Sequence, residues 1–415
     1  MARILHISTR LILGGSQENT VLSCEGQVGR GHDVHLAFGP IYGPEGSMLE
    51  RVVRTPAIHT HDVPNLVREI APLRDRRCLY ELRALIRRLK PDIVHTHSSK
   101  AGILGRAAAW AEGGSVGGIG VVHTIHGPPF MPIEGGIAKR TSVRLKNHIY
   151  TLAERYAAKR SHVIASVADA MTETFLRRGI GDPAQYVTVY SGMEIAPFVD
   201  PTPGETRAEV RQRHGIAPDD VVIGTVARLA EHKGHDDVLD AIGERLRAQP
   251  SLKLLWVGDG WWRERLLRRV AQMGLTDKVV LSGLVPPEQV PGLMRAMDVL
   301  VHPSYREGLP RTVPQALLSG TAVVAYDVDG TGEACIDRNT GRLVPVGDTD
   351  ALRDAIEWML ADADRRAGTV EAGRGLCLER FDAERMVDAL DDVYTRARGA
   401  APVSGVHDGT DSHAG

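Results

Sequence analysis

What the chain lacks narrows it first. No apolar run in its 415 residues approaches the ~20 needed to cross a bilayer as a helix. The opening residues, Met1-Ala2-Arg3-Ile4-Leu5-His6-Ile7-Ser8, make a short strand pattern rather than a secretory leader. Cysteine is scarce. Cys24, Cys78, Cys335 and Cys377 are scattered and never spaced C-x-x-C, which points to ordinary thiols in a reducing compartment rather than a disulfide framework or a zinc site. The dinucleotide fingerprint G-x-G-x-x-G is missing after the first strand, where Leu11-Ile12-Leu13-Gly14-Gly15 stands instead, and this disfavours a dehydrogenase. Metal-ligand spacing is missing too. His95 and His97 share one strand face but show no third ligand, and Asp327-Val328-Asp329 follows a strand where it reads as loop capping. No metal and no cofactor is expected.

Apolar content of 43% and charged content of 25% are those of a soluble globular protein, and 415 residues is too long for one ordinary core. Pro197, Pro201 and Pro203 mark a linker. The expected division is residues 1–196, residues 197–380, a terminal helix over 381–398 and a small, polar, disordered tail over 399–415. The net charge of −2 conceals an asymmetry. Residues 1–200 hold 24 Lys/Arg against 18 Asp/Glu, a net of +6, and the rest hold 26 against 34, a net of −8. Halves of opposite sign suggest two domains with different partners.

The chain is organised around Ser304-Tyr305-Arg306-Glu307-Gly308-Leu309-Pro310-Arg311-Thr312-Val313-Pro314-Gln315-Ala316-Leu317. An apolar run, 298–303, precedes it and a second, 322–326, follows, so it reads as strand, loop, helix, strand. Glu307 and Gly308 then sit at the carboxyl end of a parallel strand, where open α/β sheets bind ligands. Pro310 is expected to open the helix, whose first free N–H groups favour an anion. Glu307 and Gln315 are eight residues apart, a little over two helical turns, so both can lie on one side of a ligand. Taken alone, the stretch is also compatible with a buried strand and an amphipathic helix carrying an incidental Glu.

This stretch resembles the signature of the family 4 retaining glycosyltransferases, a Glu followed by Gly, with a second Glu after seven residues. Glu307 matches the first, and Gln315 stands where the second is usual. The resemblance covers most of the chain and is strongest over 220–346. It implies the GT-B fold, two Rossmann-like α/β domains facing across a cleft, with the terminal helix crossing back to the first domain. It also implies transfer of a sugar from a nucleotide-sugar, UDP-linked, to an acceptor hydroxyl with retention and without a metal.

Further positions carry the resemblance. Gly14-Gly15 after the first strand matches the loop that approaches the donor diphosphate; by itself it is equally a tight turn. His126, in His123-Thr124-Ile125-His126-Gly127-Pro128-Pro129, ends a strand at a rigid turn and matches the histidine that faces the donor sugar. Arg228 ends a strand and Lys233 follows five residues later; two fixed cations at one strand end suit a leaving diphosphate. The resemblance places Leu284 and Val285 near the nucleobase and Gly308, Leu309 and Gln315 on the donor. It gives Glu307 the donor-sugar hydroxyls and positive character at the anomeric carbon, and it matches Ser191-Gly192-Met193-Glu194 to the turn at the domain junction.

Residues 137–160 form the longest basic helical pattern. Lys139, Arg140, Arg144, Lys146, Arg155, Lys159 and Arg160 are opposed only by Glu154, with Tyr150, Leu152 and Tyr156 as anchors. Such a helix can lie on an anionic membrane, or be a solvated face. The expected partners are a nucleotide-sugar, an unidentified glycan or lipid-linked acceptor and that membrane surface, with no nucleic acid. The expected location is cytoplasmic, with peripheral contact at the inner face of the membrane. Two other readings stay open: an epimerase or hydrolase of nucleotide-sugars on the same fold, and a non-catalytic sugar-nucleotide-binding protein, for which the Gln315 departure leaves room.

Overall fold

The computed structural model describes residues 1–42, 46–116, 118–130 and 137–399, with the side chains of 137–139 outside that description. Apart from Gly399, the tail expected at 399–415 lies outside the described residues. The chain forms two units, Met1–Tyr190 together with the residues from Glu384 on, and Ser191–Ala383.

The first unit is a parallel sheet of β1 Arg3–Ser8, β2 Asp33–Phe38, β3 Ile58–Asp62, β4 Ile93–His97, β5 Gly120–Ile125, β6 Val163–Ser166 and β7 Tyr186–Thr188, ordered β3-β2-β1-β4-β5-β6-β7. Its central strands are buried on both faces, which is why they read as continuous runs rather than alternations. Helices α1 Gly15–Gly29, α2 Pro72–Leu89, α3 Ser99–Ala111 and α4 Ile137–Ala158 accompany it. The basic helix α2 starts at Pro72, where proline suits the first helical position, and buries Cys78, Leu82, Leu85 and Ile86. The C-terminal helix Ala383–Gly399 buries Met386, Val387, Leu390, Val393, Tyr394 and Ala397, with Val387 packed on Gly26 of α1.

The second unit is a parallel sheet of β8 Val221–Val226, β9 Leu252–Val257, β10 Val279–Gly283, β11 Val299–His302, β12 Ala322–Tyr326 and β13 Arg342–Val344, ordered β10-β9-β8-β11-β12-β13. Ile223, Leu254, Trp256, Val299, Val301, Val324 and Tyr326 build its core against α5 His235–Ala248 and the helix Thr349–Leu360. The strand order reverses between β8 and β11, and the crevice outside their carboxyl ends is where such sheets take ligands. The signature helix, α6 Thr312–Leu318, opens two residues later than expected, so Pro310 is not its first residue. Arg311 is pinned instead, its guanidinium donating to the Gly192 carbonyl at 2.7 Å. Pro314 then falls in the first turn, where it removes one of the N–H groups expected to face an anion.

Candidate active site

In the second unit β8 and β11 end side by side, and the loops leaving them meet. After β8 come Arg228 and the short turn Glu231–Lys233; after β11 comes Glu307. The loops are stitched by backbone bonds. The His232 carbonyl accepts from the Tyr305 amide at 2.9 Å and from Ser304 Oγ at 3.2 Å. Gly234 completes the join at φ +66, and a Cβ there would lie 2.1 Å from the Pro303 carbonyl oxygen, so only glycine allows this approach.

Lys233 Nζ donates to Glu307 Oε1 at 2.5 Å, and His302 Nε2 lies 3.2 Å from the same oxygen. His302 Nδ1 is 3.1 Å from Thr312 Oγ1, which leaves Nε2 to face the carboxylate. Burial works to raise the Glu307 pKa, but Lys233 and His302 outweigh it and hold the carboxyl well below the usual range. The Glu307 amide donates to Asp329 Oδ2 at 2.8 Å, and the Gly330 amide donates to the Gly308 carbonyl at 2.9 Å. Asp329 thus holds the Glu307 loop, the capping use expected of it. Its φ of +48 shows backbone held in the left-handed region to reach that bond.

Positive charge surrounds this carboxylate. Burial, Lys233 and Arg306 push His232 down to about 4, with Arg228 adding to the same effect and Glu307 opposing it. The Arg228 guanidinium lies 5.5 Å from the ring centre of Trp261, whose indole is 63% exposed. Leu284 is exposed and Val285 half-buried; they follow β10, which closes on Gly258 at the end of β9. Leu309 and Gln315 are buried, Gln315 on α6. The sequence named Arg228, Lys233 and Glu307, and the structure brings Lys233 and Glu307 into contact. The sequence did not point to His302, His232 or Trp261, which lie beside them. A histidine ending the strand just before the signature was the available signal for His302.

The first unit holds a second group. Gly14 caps α1 without a side-chain bond, and Gly14 and Gly15 are exposed. His126 follows β5, and its Nε2 lies 3.0 Å from His97 Nδ1. The parallel pairing of β1 with β4 sets His6 beside His95, and alternate positions put His95 and His97 on one face. His6 is thus the third histidine that the sequence did not point to. Ring nitrogens of these three lie within 4.8 Å of one another, the one such trio among the described residues. Each nitrogen already has a partner. His6 meets His97 at 2.9 Å and Gln27 at 2.7 Å, and His95 meets Tyr394 at 2.8 Å and Thr124 at 2.6 Å. Two nitrogens on one tetrahedral zinc stand about 3.3 Å apart, so the His6–His97 spacing is that of a hydrogen bond.

On α4 one face is buried, with Val143, Asn147, Glu154, Ala157 and Ala158. The opposite face leaves Leu145, Ile149, Leu152 and Tyr156 between 48% and 60% exposed, a single stripe by helical spacing. Arg144, Lys146, Arg155 and Lys159 are exposed around it. Glu154 does not oppose these cations, as the sequence suggested. It is buried and bonded to Arg106 at 2.6 Å. Tyr150, read as an anchor, is half-buried, and Leu145 and Ile149 take its place. Lys139 lies outside the described side chains.

Comparison with known proteins finds relatives of both units. Residues 13–196 match the family described as Glycosyltransferase Family 4, and residues 206–393 match Glycosyl transferases group 1. A 2-deoxystreptamine N-acetyl-D-glucosaminyltransferase of Streptomyces fradiae is 33% identical over 63% of this chain, and the match spans only 62% of that relative. A GDP-mannose-dependent phosphatidylinositol monomannoside mannosyltransferase of Mycolicibacterium smegmatis is 30% identical over 55% of this chain and 68% of its own length. An Escherichia coli UDP-Gal:alpha-D-GlcNAc-diphosphoundecaprenol alpha-1,3-galactosyltransferase is 27% identical over 94% of this chain and 96% of its own. In fold, the chain resembles the Anabaena protein HepE, solved with UDP and glucose, at a TM-score of 0.77 and 19% identity over 95% of this chain and all of that one.

Proposed function

Because the chain belongs to the glycosyltransferase family 4-like proteins of GT-B fold, we propose that it moves a sugar from a UDP-linked donor to an acceptor hydroxyl with retention at the anomeric carbon. The observation that carries this reading is the meeting of Lys233 and Glu307, with Arg228 on the same loop after β8, where the strand order of the second sheet reverses. A diphosphate arriving there gains two fixed cations as its charge grows during bond breaking. Its oxygens compete with Glu307 for Lys233, and the carboxylate is released toward the sugar hydroxyls. Held ionised by its neighbours, Glu307 can face positive character at the anomeric carbon without first losing a proton. With cations supplying the charge, the reaction proceeds without a metal.

In this reading Leu284 and Val285 border the base, and Gly308 and Leu309 bring backbone to the donor. Gly14, Gly15 and His126 belong to the first unit. Gln315 holds the ribose, accepting from one hydroxyl and donating to the other, without the charge a carboxylate would lend. A thermal-shift panel of nucleotides tests both donor and residue. UDP is expected to raise the unfolding midpoint, with GDP and ADP doing so far less. Gln315→Ala is expected to weaken UDP roughly tenfold, about 1–1.5 kcal/mol for a lost neutral hydrogen bond, and to change kcat less. An unchanged UDP affinity in that variant removes Gln315 from the nucleotide site. Turnover without any acceptor would instead identify an epimerase or hydrolase.

The acceptor we propose is lipid-linked, reached at the inner face of the cytoplasmic membrane. The exposed apolar stripe on α4 with its flanking cations supports this, since it suits an interfacial helix on anionic lipid. Binding to vesicles containing anionic lipid is expected to fall as salt rises. Replacing Arg140, Arg144, Lys146 and Lys159 with Gln should abolish it. Equal binding to neutral and anionic vesicles in sedimentation would overturn the assignment.

A further inference from the structure

We infer that Asp237 is a positioning residue for the site around Glu307, a single carboxylate oxygen that holds three segments of the second unit in register. For its catalytic meaning the inference rests on the reading of Lys233 and Glu307 as donor-binding groups. Asp237 Oδ2 accepts from Tyr305 Oη and from Tyr326 Oη, each at 2.6 Å. The three residues arrive from different elements. Asp237 lies in the first turn of α5, just after Lys233 and Gly234. Tyr305 lies in the loop after β11, just before Arg306 and Glu307. Tyr326 ends β12 and leads into the loop of Asp329, whose carboxylate accepts from the Glu307 amide at 2.8 Å. One oxygen therefore ties together the segments that carry the cation, the carboxylate and the support of that carboxylate.

The sequence shows two consecutive acids at the start of this helix, where either one favours the helix dipole. The fold uses them differently. Asp236 pairs with Arg265 at 2.6 Å and with Arg269, both on the helix Arg263–Gln272. Asp237 takes the two phenols. Tyr326 is fully buried in the core around Trp256, and Tyr305 packs against that core. Their rings meet edge to face, with centres 5.8 Å apart and planes at 84°, so the two hydroxyls reach Asp237 from fixed directions. Burial, and then the bond to Asp237, push the Tyr326 phenol above its usual range, so it stays protonated and donates.

Backbone bonds already join two of the three segments, since the Tyr305 amide donates to the carbonyl of His232, beside Lys233, at 2.9 Å. Asp237 adds the third, the end of β12. The link bears on function because Lys233 Nζ and Glu307 Oε1 meet at 2.5 Å across two of these segments. A shift of about 1 Å in a group that faces the reacting carbon can cost on the order of a hundredfold. Cations that hold a diphosphate follow such a shift more easily than a carboxylate that must meet one atom. A loosened link should therefore cost turnover more than donor binding. Both hydroxyls use one oxygen, so an amide carbonyl, with two lone pairs on its oxygen, can serve them as well as a carboxylate.

Kinetics of the full chain, at a temperature where each variant is folded by circular dichroism, test this. Asp237→Ala is expected to lower kcat about tenfold and to change donor KM less than about twofold, whereas Asp237→Asn should stay within roughly threefold of the parent in kcat. Tyr305→Phe with Tyr326→Phe removes both donors, keeps both rings and should reproduce the Asp237→Ala loss. Adding Asp237→Ala to that pair should then cost nothing further. A fully additive loss overturns the inference, because Asp237 would then act other than through the two hydroxyls. Asp237→Asn as impaired as Asp237→Ala overturns it too. Crystal structures of the parent and of Asp237→Ala give a readout independent of turnover. The expected difference is a Glu307 carboxylate moved away from Lys233 by about 1 Å or more on an unchanged sheet. A Glu307 that keeps its place beside Lys233 overturns the inference and leaves Asp237 a packing residue. If Asp237→Ala does not fold, the double tyrosine variant takes its place in both measurements. Failure of the parent to turn over any nucleotide-sugar would sink the transferase reading and leave the structural comparison to decide.

Discussion

Lys233→Ala is expected to lower kcat roughly a hundred- to a thousandfold, about 2.7–4 kcal/mol of transition-state stabilisation. Arg228→Ala should lose at least as much. The two variants should differ in stability. Lys233 is the main counter-charge of a largely buried carboxylate, bonded to it at 2.5 Å, whereas Arg228 lies half-buried against an exposed indole. Removing Lys233 leaves burial as the dominant influence on Glu307, and its pKa rises. The acid limb of the residual activity should therefore move to higher pH in Lys233→Ala and stay in place in Arg228→Ala. The sign for stability follows from a depressed carboxyl. The contribution is complete above the unfolded glutamate value of about 4.3 and is lost as pH falls through the lower folded value. The gap in unfolding midpoint between parent and Lys233→Ala should be widest near neutral pH, begin to narrow below about pH 4 and close only as pH approaches the lower folded value. A gap that does not narrow in acid would mean that the ion pair is not what Lys233 contributes to folding. Near-native turnover in both variants would remove the diphosphate assignment.

The readable parts of this site share a physical character. Arg228 and Glu307 each follow a strand buried on both faces, and such strands show themselves as apolar runs with abrupt polar ends. Position along the chain then gives position at the sheet's carboxyl edge. What could not be read depends on strand order. His6 comes to His95 only because β1 pairs with β4 across nearly ninety residues. Asp329 holds the Glu307 amide from the loop after β12, so its bond was invisible although its capping role was not. The start of α6 was misread for a similar reason. Pro310 looked like a first helical residue, yet the helix opens at Thr312, beside an Arg311 bonded to Gly192, 119 residues away. Local propensity cannot register a tether of that length. The two Rossmann-like units were legible as a resemblance and as alternating strands and helices. The reversal point between β8 and β11, which makes the loops converge, needed the structure.

Glu154→Ala should destabilise the first unit by about 3–5 kcal/mol, although the sequence shows it as a surface-like charge. The sequence presents Glu154 as the lone acid on a basic helix, where its loss would be nearly neutral. In the fold its side chain is only 2% exposed and that of Arg106 1%, and they bond at 2.6 Å. Arg106 is held further by its own α3, donating from Nε to the Gly102 carbonyl at 2.8 Å. Removing the carboxylate leaves a guanidinium that cannot lose its charge within the interior, which is costlier than losing the bond alone. Arg106→Met with Glu154→Leu should recover most of the loss, since an apolar pair of similar volume leaves no uncompensated charge. Thermal unfolding of Arg106→Met, Glu154→Leu and the double variant forms the cycle that measures it. The same pair ties α4 to α3 and so turns Leu145, Ile149, Leu152 and Tyr156 outward. A destabilised Glu154→Ala should therefore also bind anionic vesicles less well, while the apolar double variant should bind like the parent. If Glu154→Ala unfolds within a degree or so of the parent, the carboxylate is solvated. The inward face of α4, and with it the outward stripe, would then be misplaced.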